Sequence, residues 1–361
     1  MRVLLANPYF WPHEGGIEGR LQGLARGLAR RHEVGVLTAR LPGTALEETR
    51  DGYTILRCPA RVWRGFPSNP PPLWTRGILA RARAWKPDLL DYQYRWAPEW
   101  NRAMAAWARE GPLVLTWHNA FGEGEGLVGR LSAWNDRRFV ALMGSARGVV
   151  CISRAVEQDL ARRGVAPGKL RTVHAGFDAP PPLALPEGDH AVFAGRLVAT
   201  KGLDVLLAAL PAAPEVRVVL VGKGPERARL ERLAARLGVQ DRVRFAGFVR
   251  EEEKRRLVAG ARFVVHPARW ESLGHALAEA MLQGKPVIAS DVGGIPEVVG
   301  PGGVLVPTGD AAALAAAMRD LWADAGLRAA LGWKAQAHAA TFTWDRCVAA
   351  TERVYREAVE R

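Results

Sequence analysis

The chain has 361 residues, enough for about two domains of ordinary size. Hydrophobic residues make up 48% of it, yet no apolar run reaches the roughly 18 residues that a membrane-spanning helix needs, so we expect a globular, cytoplasmic protein. The net charge of +13 lies mostly in residues 1–180 and favours anionic partners, while three widely separated cysteines exclude a disulfide framework and a Cys-x-x-Cys metal or redox site.

In the first half of the chain, short β-rich runs alternate with amphipathic helical runs. This alternation predicts a parallel sheet covered by helices. Between the first two runs, Leu21, Leu24 and Leu28 recur at helical spacing and indicate one buried helix face. The predicted strands are residues 2–8, 33–39, 88–94, 112–118 and 147–153.

A proline-rich stretch, residues 179–189, interrupts this alternation. Proline lacks an amide donor and biases its predecessor towards extended backbone, so the stretch predicts an interdomain linker. The alternation then restarts, which predicts a second βα domain. Its predicted strands are residues 190–196, 216–222, 242–248, 262–268, 286–291 and 303–307.

These patterns predict an α/β fold with two doubly wound, Rossmann-like domains that face each other across a cleft. A ligand is expected at the carboxyl ends of both sheets. The predicted boundaries are 1–180 and 181–342, followed by a final helix, 343–361, that needs a surface to cover.

Motif searches exclude several kinds of site. The patterns GxxxxGK[ST], HExxH and Asp-x-Asp are absent, so no metal site and no resident cofactor are predicted. A literal GxGxxG at residues 124–129 begins well after its strand, and Glu123 before it and Glu125 within it carry charges that would repel a pyrophosphate. We interpret it as a chance match.

Two loops have residues suited to phosphate. In FAGRLVATKG, Arg196 and Lys201 follow the carboxyl end of a predicted strand, where two cations beside a helix N-terminus form an anion clamp. Solvated surface cations are the common alternative, and the strand-end position favours the clamp. In GGIEGR, Gly15 and Gly16 precede the first helix and would let a ligand approach its N–H groups.

The stretch ESLGHALAE places Glu271, His275 and Glu279 four residues apart. A continuous helix would separate the end carboxylates by roughly 12 Å, wider than the about 5–9.5 Å of glycosidase pairs. A third metal ligand is not evident, and apolar neighbours of Glu279 disfavour a surface salt-bridge row. The pattern best fits an extended polar ligand held by a carboxylate at each end, with a phosphate at the helix N-terminus between them.

The block ESLGHALAEAMLQGKPVIASDVGGIPEVV resembles the E-x7-E donor-binding signature of retaining GT-B glycosyltransferases of the family 4 type. GRLVATKG resembles that family's diphosphate clamp, GGIEGR its N-terminal glycine loop, and LTWHN its histidine motif. VHAGFD and LVGKGPER, which contains Gly222, also fall where the family has counterparts. The similarity covers nearly the whole chain, in order.

The resemblance implies a UDP- or GDP-linked sugar bound mainly by the C-terminal domain and a hexosyl transfer, with retention, to an acceptor bound by the N-terminal domain. It also implies that the last helix crosses back to the N-terminal domain. Neither a protein nucleophile nor a metal ion is implied, because Arg196 and Lys201 would stabilise the leaving diphosphate.

The family's residue roles can be carried over position by position. Glu279 would bind the ribose hydroxyls, Glu271 the hydroxyls of the donor sugar, and His118 would line the sugar side. Gly16 would lie beneath the reaction centre. The backbone that would face the phosphates is that of Leu273, Gly274 and His275.

Two other functions stay open at this stage. A GT-B sugar-nucleotide epimerase would need no acceptor. A basic polyanion binder would fit the charge, but no nucleic-acid reading element is present, so a nucleic-acid partner is not predicted. The expected acceptor is phosphorylated or lipid-linked, and the basic, Trp-rich N-terminal domain is compatible with peripheral contact at the inner membrane face.

Overall fold

The computed structural model describes residues 1–63, 71–95, 97–118, 134, 139–140, 142–179, 181, 183 and 185–360. The chain divides into two compact units. Unit 1 comprises Met1–Gly176 and Thr343–Arg361, and unit 2 comprises Phe177–Phe342. The chain therefore leaves unit 1 near the predicted linker and returns to it for its last helix.

Unit 1 is built on an eight-stranded sheet whose central strands are buried on both faces, as in sheets covered by helices on each side. Its strands are β1 (Arg2–Ala6), β2 (Glu33–Ala39), β3 (Glu47–Arg50), β4 (Tyr53–Cys58), β7 (Leu89–Gln93), β8 (Leu113–Trp117), β9 (Gly148–Cys151) and β10 (Leu170–Thr172). A separate antiparallel ribbon is formed by β5 (Ala60–Val62) and β6 (Leu73–Thr75).

The order of the large sheet is β10-β9-β8-β7-β1-β2-β4-β3, and only β3 runs antiparallel to its neighbour. The helices before the linker are α1 (Gly16–Leu28), α2 (Ile78–Trp85), α3 (Pro98–Trp107) and α4 (Arg154–Arg162). Leu21, Leu24 and Leu28 of α1 are fully buried, so the predicted helix face is confirmed. Ser153 begins α4 by accepting a hydrogen bond from the amide of Val156, an N-cap.

Unit 2 contains a six-stranded, fully parallel sheet in the order β13-β12-β11-β14-β15-β16. Its strands are β11 (Ala191–Ala194), β12 (Val218–Val221), β13 (Val243–Gly247), β14 (Val264–His266), β15 (Val287–Ser290) and β16 (Gly303–Val306). Its helices are α5 (Leu203–Ala209), α6 (Arg227–Arg236), α7 (Glu251–Ala259), α8 (His275–Leu282), α9 (Ile295–Val299), α10 (Ala311–Ala323) and α11 (Ala325–Ala339).

Each sheet has a point at which the chain reverses the direction in which strands are added. In unit 2 this point lies between β11 and β14, and in unit 1 between β1 and β7. Loops that leave such neighbouring strands diverge and open a crevice at the carboxyl ends. The predicted fold class, two doubly wound Rossmann-like domains, is thereby confirmed.

The last helix, α12 (Trp344–Glu360), belongs to unit 1 and packs against α1 and β9. Gly23 of α1 admits the ring of Trp344 so closely that a Cβ atom at that position would lie 2.1 Å from it. Tyr355 is fully buried beneath the sheet. Among the helices that the structure describes, none has the length and apolar character to cross a membrane.

Candidate functional site

The two predicted phosphate-binding cations follow β11 at the reversal point of unit 2. Arg196 is exposed, and its side chain makes no ion pair with any described residue. Lys201 ends a 3-10 turn, Ala199–Lys201, beside the loop that leaves β14. Gly202 keeps the two loops in contact: its φ is +63°, and a Cβ there would lie 1.9 Å from the carbonyl oxygen of Pro267.

The structure joins Lys201 directly to the first glutamate of the E-x7-E block. The Nζ atom of Lys201 lies 2.5 Å from Oε2 of Glu271, and Nε2 of His266 lies 3.2 Å from the same oxygen. All three side chains are largely buried. Lys201 was predicted as part of an anion clamp, and its pairing with Glu271 was not predicted. His266 was missed, since its only signal was a histidine at the end of a strand.

Burial and charge act in opposite directions on this cluster. Burial alone would raise the pKa of Glu271, but the hydrogen bond from His266 and the positive charge of Lys201 hold that pKa well below its usual range. Burial lowers the pKa of His266, and its hydrogen bond to Glu271 only partly opposes this. Because the pKa of Glu271 and the pKa of His266 are both lowered, the carboxylate is ionised and the imidazole is neutral, and Nε2 donates the hydrogen bond.

Glu279, the second glutamate, lies inside α8 and pairs with Lys254 of α7. The distance from Lys254 Nζ to Glu279 Oε2 is 3.0 Å, and Glu251 lies 2.8 Å from the same ammonium. Burial opposes the charge of Lys254, but the two carboxylates outweigh it and raise its pKa. This pair is not a salt-bridge row along the stripe, because the partner of Glu279 comes from another helix, and the pairing with Lys254 was not predicted.

The N-terminus of α8 lies between the two glutamates. Helix α8 begins at His275, so Glu271 lies in the preceding loop, as predicted, and the stripe is not one continuous helix. Gly274 occupies the N-cap position with a φ of +97° and no side-chain cap. Leu273 is buried, and the ring of His275 contacts Phe177 edge-on at 5.3 Å between centroids. The N–H groups of this helix end therefore have no side-chain cap.

Two glycine contacts hold the surrounding loops in place. Gly222, after β12, has a φ of +141°, and a Cβ there would lie 1.8 Å from the carbonyl oxygen of Gly195. Gly293, after β15, has a φ of +58°, and a Cβ would lie 2.1 Å from the carbonyl oxygen of Glu271. The amide of Gly294 donates to that same oxygen across 2.9 Å. Gly293 and Gly294 were not predicted as site residues, although the GGIPE sequence gave the signal.

In unit 1, Gly15 and Gly16 begin α1 as predicted, but a negatively charged side chain changes the electrostatic field at this helix end. Glu18 lies in the first turn, is buried, and pairs with Arg95 at 2.5 Å. A buried carboxylate at a helix N-terminus already takes up the favourable interaction that a phosphate would make. The expectation of a phosphate at this position is therefore weakened by a residue of the motif itself.

His118 follows β8 at the carboxyl edge of the same sheet. Its side chain is buried, and Nε2 lies 2.8 Å from Oε1 of Gln93, at the end of β7. Gln93 is in turn connected to the buried carboxylate of Asp91. The sequence analysis did not identify this polar cluster, because Gln93 and Asp91 stand in a strand whose other residues are apolar or aromatic.

Among the described residues, metal ligands and surface depressions do not coincide with the predicted residues. In the part of the chain that the structure describes, no three histidine, cysteine, aspartate or glutamate side chains are placed to hold a metal ion. Two surface depressions, of about 480 and 410 Å³, lie at the amino ends of the two sheets, away from the predicted residues. The GxGxxG match at 124–129 and Asn119 of the histidine motif lie outside the described residues.

Comparison of the sequence with known families gives two adjoining matches. Residues 181–338 match the family described as Glycosyl transferases group 1. Residues 14–179 match the family described as Glycosyltransferase Family 4. Together the two matches cover most of both units, without the last helix.

Similar proteins match along nearly the whole length. The chain is 30% identical to a D-inositol 3-phosphate glycosyltransferase of Streptomyces bingchenggensis, over 96% of this chain and 85% of that protein. It is 31% identical to the protein of the same name from Xylanimonas cellulosilytica, over 96% of this chain and 93% of the other.

Two solved structures illustrate the similarity of fold. The sucrose-phosphate synthase of Thermosynechococcus elongatus gives a TM-score of 0.81 at 24% identity, covering 99% of this chain and 98% of that one. Anabaena HepE, in complex with UDP and glucose, gives a TM-score of 0.75 at 24% identity, with 98% of both chains covered.

Proposed function

This chain belongs to the glycosyltransferases of group 1 and family 4, and we propose that it moves a hexose from UDP to a hydroxyl group of a phosphorylated acceptor. We further propose that the anomeric configuration is retained and that no metal ion takes part. The single observation that carries the proposal is the grouping of Arg196, Lys201 and Glu271 at the strand reversal of unit 2.

The donor part of the proposal follows from the chemistry of these loops. Arg196 and Lys201 supply fixed positive charge for a diphosphate, and the N-terminus of α8 supplies N–H donors. Glu271 is ionised and accepts hydrogen bonds from sugar hydroxyls, and Glu279 does so from the ribose. UDP is the proposed nucleotide because HepE, which shares the fold, binds UDP and glucose.

In the proposed reaction, the bond between the anomeric carbon and the phosphate oxygen breaks while the acceptor oxygen bonds to that carbon from the same face. The acceptor proton passes to the departing diphosphate, so no protein nucleophile is needed. Arg196 and Lys201 stabilise the negative charge that develops on the leaving group, which is where an enzyme gains most from preorganised cations.

For the acceptor, we propose a small phosphorylated polyol of the inositol phosphate class. The support is the name of two relatives that match over 96% of this chain, together with the excess of positive charge in residues 1–180. Transfer to a lipid-linked acceptor and not to a small phosphorylated polyol would contradict this part of the proposal. It would also bring unit 1 to a membrane surface.

The experiment has two stages. Thermal shifts with UDP-glucose, UDP-GlcNAc, GDP-mannose and ADP-glucose identify the donor, because a ligand that binds only the folded state raises Tm. Transfer to inositol 3-phosphate is then followed by NMR of the anomeric proton, with and without a chelator. Conversion of the donor sugar without an acceptor would identify an epimerase, an inverted anomer would exclude retention, and loss of turnover in chelator that magnesium restores would exclude metal independence.

A further inference from the structure

A buried polar cluster lies under the carboxyl ends of the central strands of unit 1. Its members are almost completely buried and hydrogen-bonded to one another, and they come from α1, β7, β8 and α12 and from the residues directly after β1 and β8. They are Asn7, Arg20, Asp91, Gln93, Thr116, His118 and Tyr355. Burying polar groups costs free energy unless they are hydrogen-bonded, so a buried cluster of this size indicates a role beyond stability.

Gln93 is the centre of the cluster, and its neighbours fix the direction of its amide. On one side, Nε2 donates to Asp91 Oδ2 at 2.7 Å and to Thr116 Oγ1 at 3.0 Å. On the other side, Oε1 lies 3.1 Å from Nη1 of Arg20 and 2.8 Å from Nε2 of His118. A guanidinium only donates and a carboxylate only accepts, so a flipped amide would face both neighbours with the wrong group.

The far end of the cluster holds Asp91 in place. Its Oδ1 accepts from the hydroxyl of Thr116 at 2.9 Å, and its Oδ2 accepts from the hydroxyl of Tyr355 at 2.5 Å. Since Thr116 donates to Asp91, its oxygen is available to accept from Gln93, and all the donor and acceptor roles agree. Tyr355 lies on α12, so this helix begins a chain of hydrogen bonds that passes through Asp91 and Gln93 and ends at His118. We call this chain the relay.

We propose that Gln93 is a positioning residue that holds His118 as the neutral tautomer with its proton on Nε2. Nδ1 is then the ring nitrogen that carries the lone pair and acts as a hydrogen-bond acceptor. Arg20 shares the oxygen of Gln93 with His118, and its positive charge opposes a second positive charge on the imidazole. The role at the reaction centre rests on the proposed function, whereas the tautomer does not.

The tautomer is measured directly by two-bond ¹H–¹⁵N correlation spectra of the full chain containing ¹⁵N-labelled histidine. The signals of His118 are assigned by their loss in His118→Asn. At about pH 7.5 we expect a neutral ring protonated on Nε2. An imidazolium, or a proton on Nδ1, would refute the proposal without any variant of the cluster.

Variants test whether Gln93 is the cause. Gln93→Met keeps the size of the side chain but removes the acceptor, and we expect His118 to populate both tautomers and kcat to fall roughly tenfold, an effect of about 1.4 kcal/mol. Gln93→Glu keeps an acceptor for Nε2 but adds negative charge, so the acidic limb of the kcat/KM profile should move to higher pH. A Gln93→Met protein with an unchanged His118 spectrum would contradict this causal role.

Tyr355→Phe tests the distant end of the relay, with Tyr53→Phe as its matched control, because Tyr53 is equally buried in the same unit and lies outside the cluster. We expect Tyr355→Phe to let His118 populate both tautomers and Tyr53→Phe to leave the tautomer unchanged. Equal effects would mean that the tautomer depends on general packing and not on the hydrogen bonds of the cluster. If the tautomer is as proposed but no donor or acceptor is turned over, the proposed function fails and the positioning inference stands.

Discussion

Lys201 and Glu271 form an ion pair with 2.5 Å between Nζ and Oε2, although the sequence resemblance assigns one to the diphosphate and the other to the sugar. The pair neutralises part of the positive charge of the site. Arg196, which has no ion-pair partner among the described residues, then supplies the more readily available cation. The two cations of the clamp are therefore not equivalent, and substitutions should distinguish them.

Arg196→Ala should lower kcat for transfer by roughly 100-fold or more, with a much smaller loss of UDP affinity. The reason is that its charge matters most when the diphosphate departs. Steady-state kinetics and calorimetric titration with UDP measure the two effects. Arg319→Ala, which removes an exposed arginine on α10, is the control; a similar loss in both variants would point to overall charge instead of the clamp.

Glu279→Ala should weaken UDP binding by roughly 10- to 100-fold, as expected for loss of hydrogen bonds to a charged group. Lys254→Met should have a smaller effect in the same direction, because Lys254 acts only by holding the carboxylate 3.0 Å away. Titration of both single variants and the double variant gives the coupling between them. Strictly additive losses would show that Lys254 does not position Glu279.

His266→Leu should raise KM for the nucleotide sugar while leaving the affinity for UDP nearly unchanged. The imidazole donates to Glu271 across 3.2 Å, and Glu271 is assigned to the sugar and not to the nucleotide. His266→Gln retains a donor and should recover most of the lost affinity. If both variants weaken UDP and UDP-sugar equally, the effect of His266 is structural.

The strands and motif positions of this fold follow from local sequence. Every predicted strand exists, and its ends lie within two residues of the predicted ones, because fully buried parallel strands are continuous apolar runs between turn residues. Five short or peripheral strands were not predicted: β3, β4, β5, β6 and β10. The β3 segment EETR has no apolar pattern, since it lies at the sheet edge with half of its residues exposed.

The site was predicted in part, and the division has a physical reason. Arg196, Lys201 and Glu271 could be placed because each follows a strand, and carboxyl ends of parallel strands share one edge. The partners Lys254, His266 and Gln93 could not, because each acts through a residue from another element. Sequence spacing does not encode such contacts: Lys254 and Glu279 are 25 positions apart.

Asp91→Asn should change how stability depends on pH. Burial raises the pKa of Asp91 from 3.8 to about 6, although the hydrogen bonds from Tyr355, Thr116 and Gln93 oppose that rise. A raised pKa in the folded state means that the contribution of Asp91 to stability is largest below about pH 4 and is lost as the pH rises through about 6. The free energy of unfolding of wild-type protein, relative to that of Asp91→Asn, should therefore fall by on the order of 3 kcal/mol between about pH 4 and about pH 7. Urea unfolding of both proteins across this range measures the difference, in which the other titrating groups cancel. If the stability of wild-type protein relative to Asp91→Asn instead stays constant with pH, the hydrogen bonds to the carboxylate balance the cost of its burial, and if it rises with pH they exceed that cost.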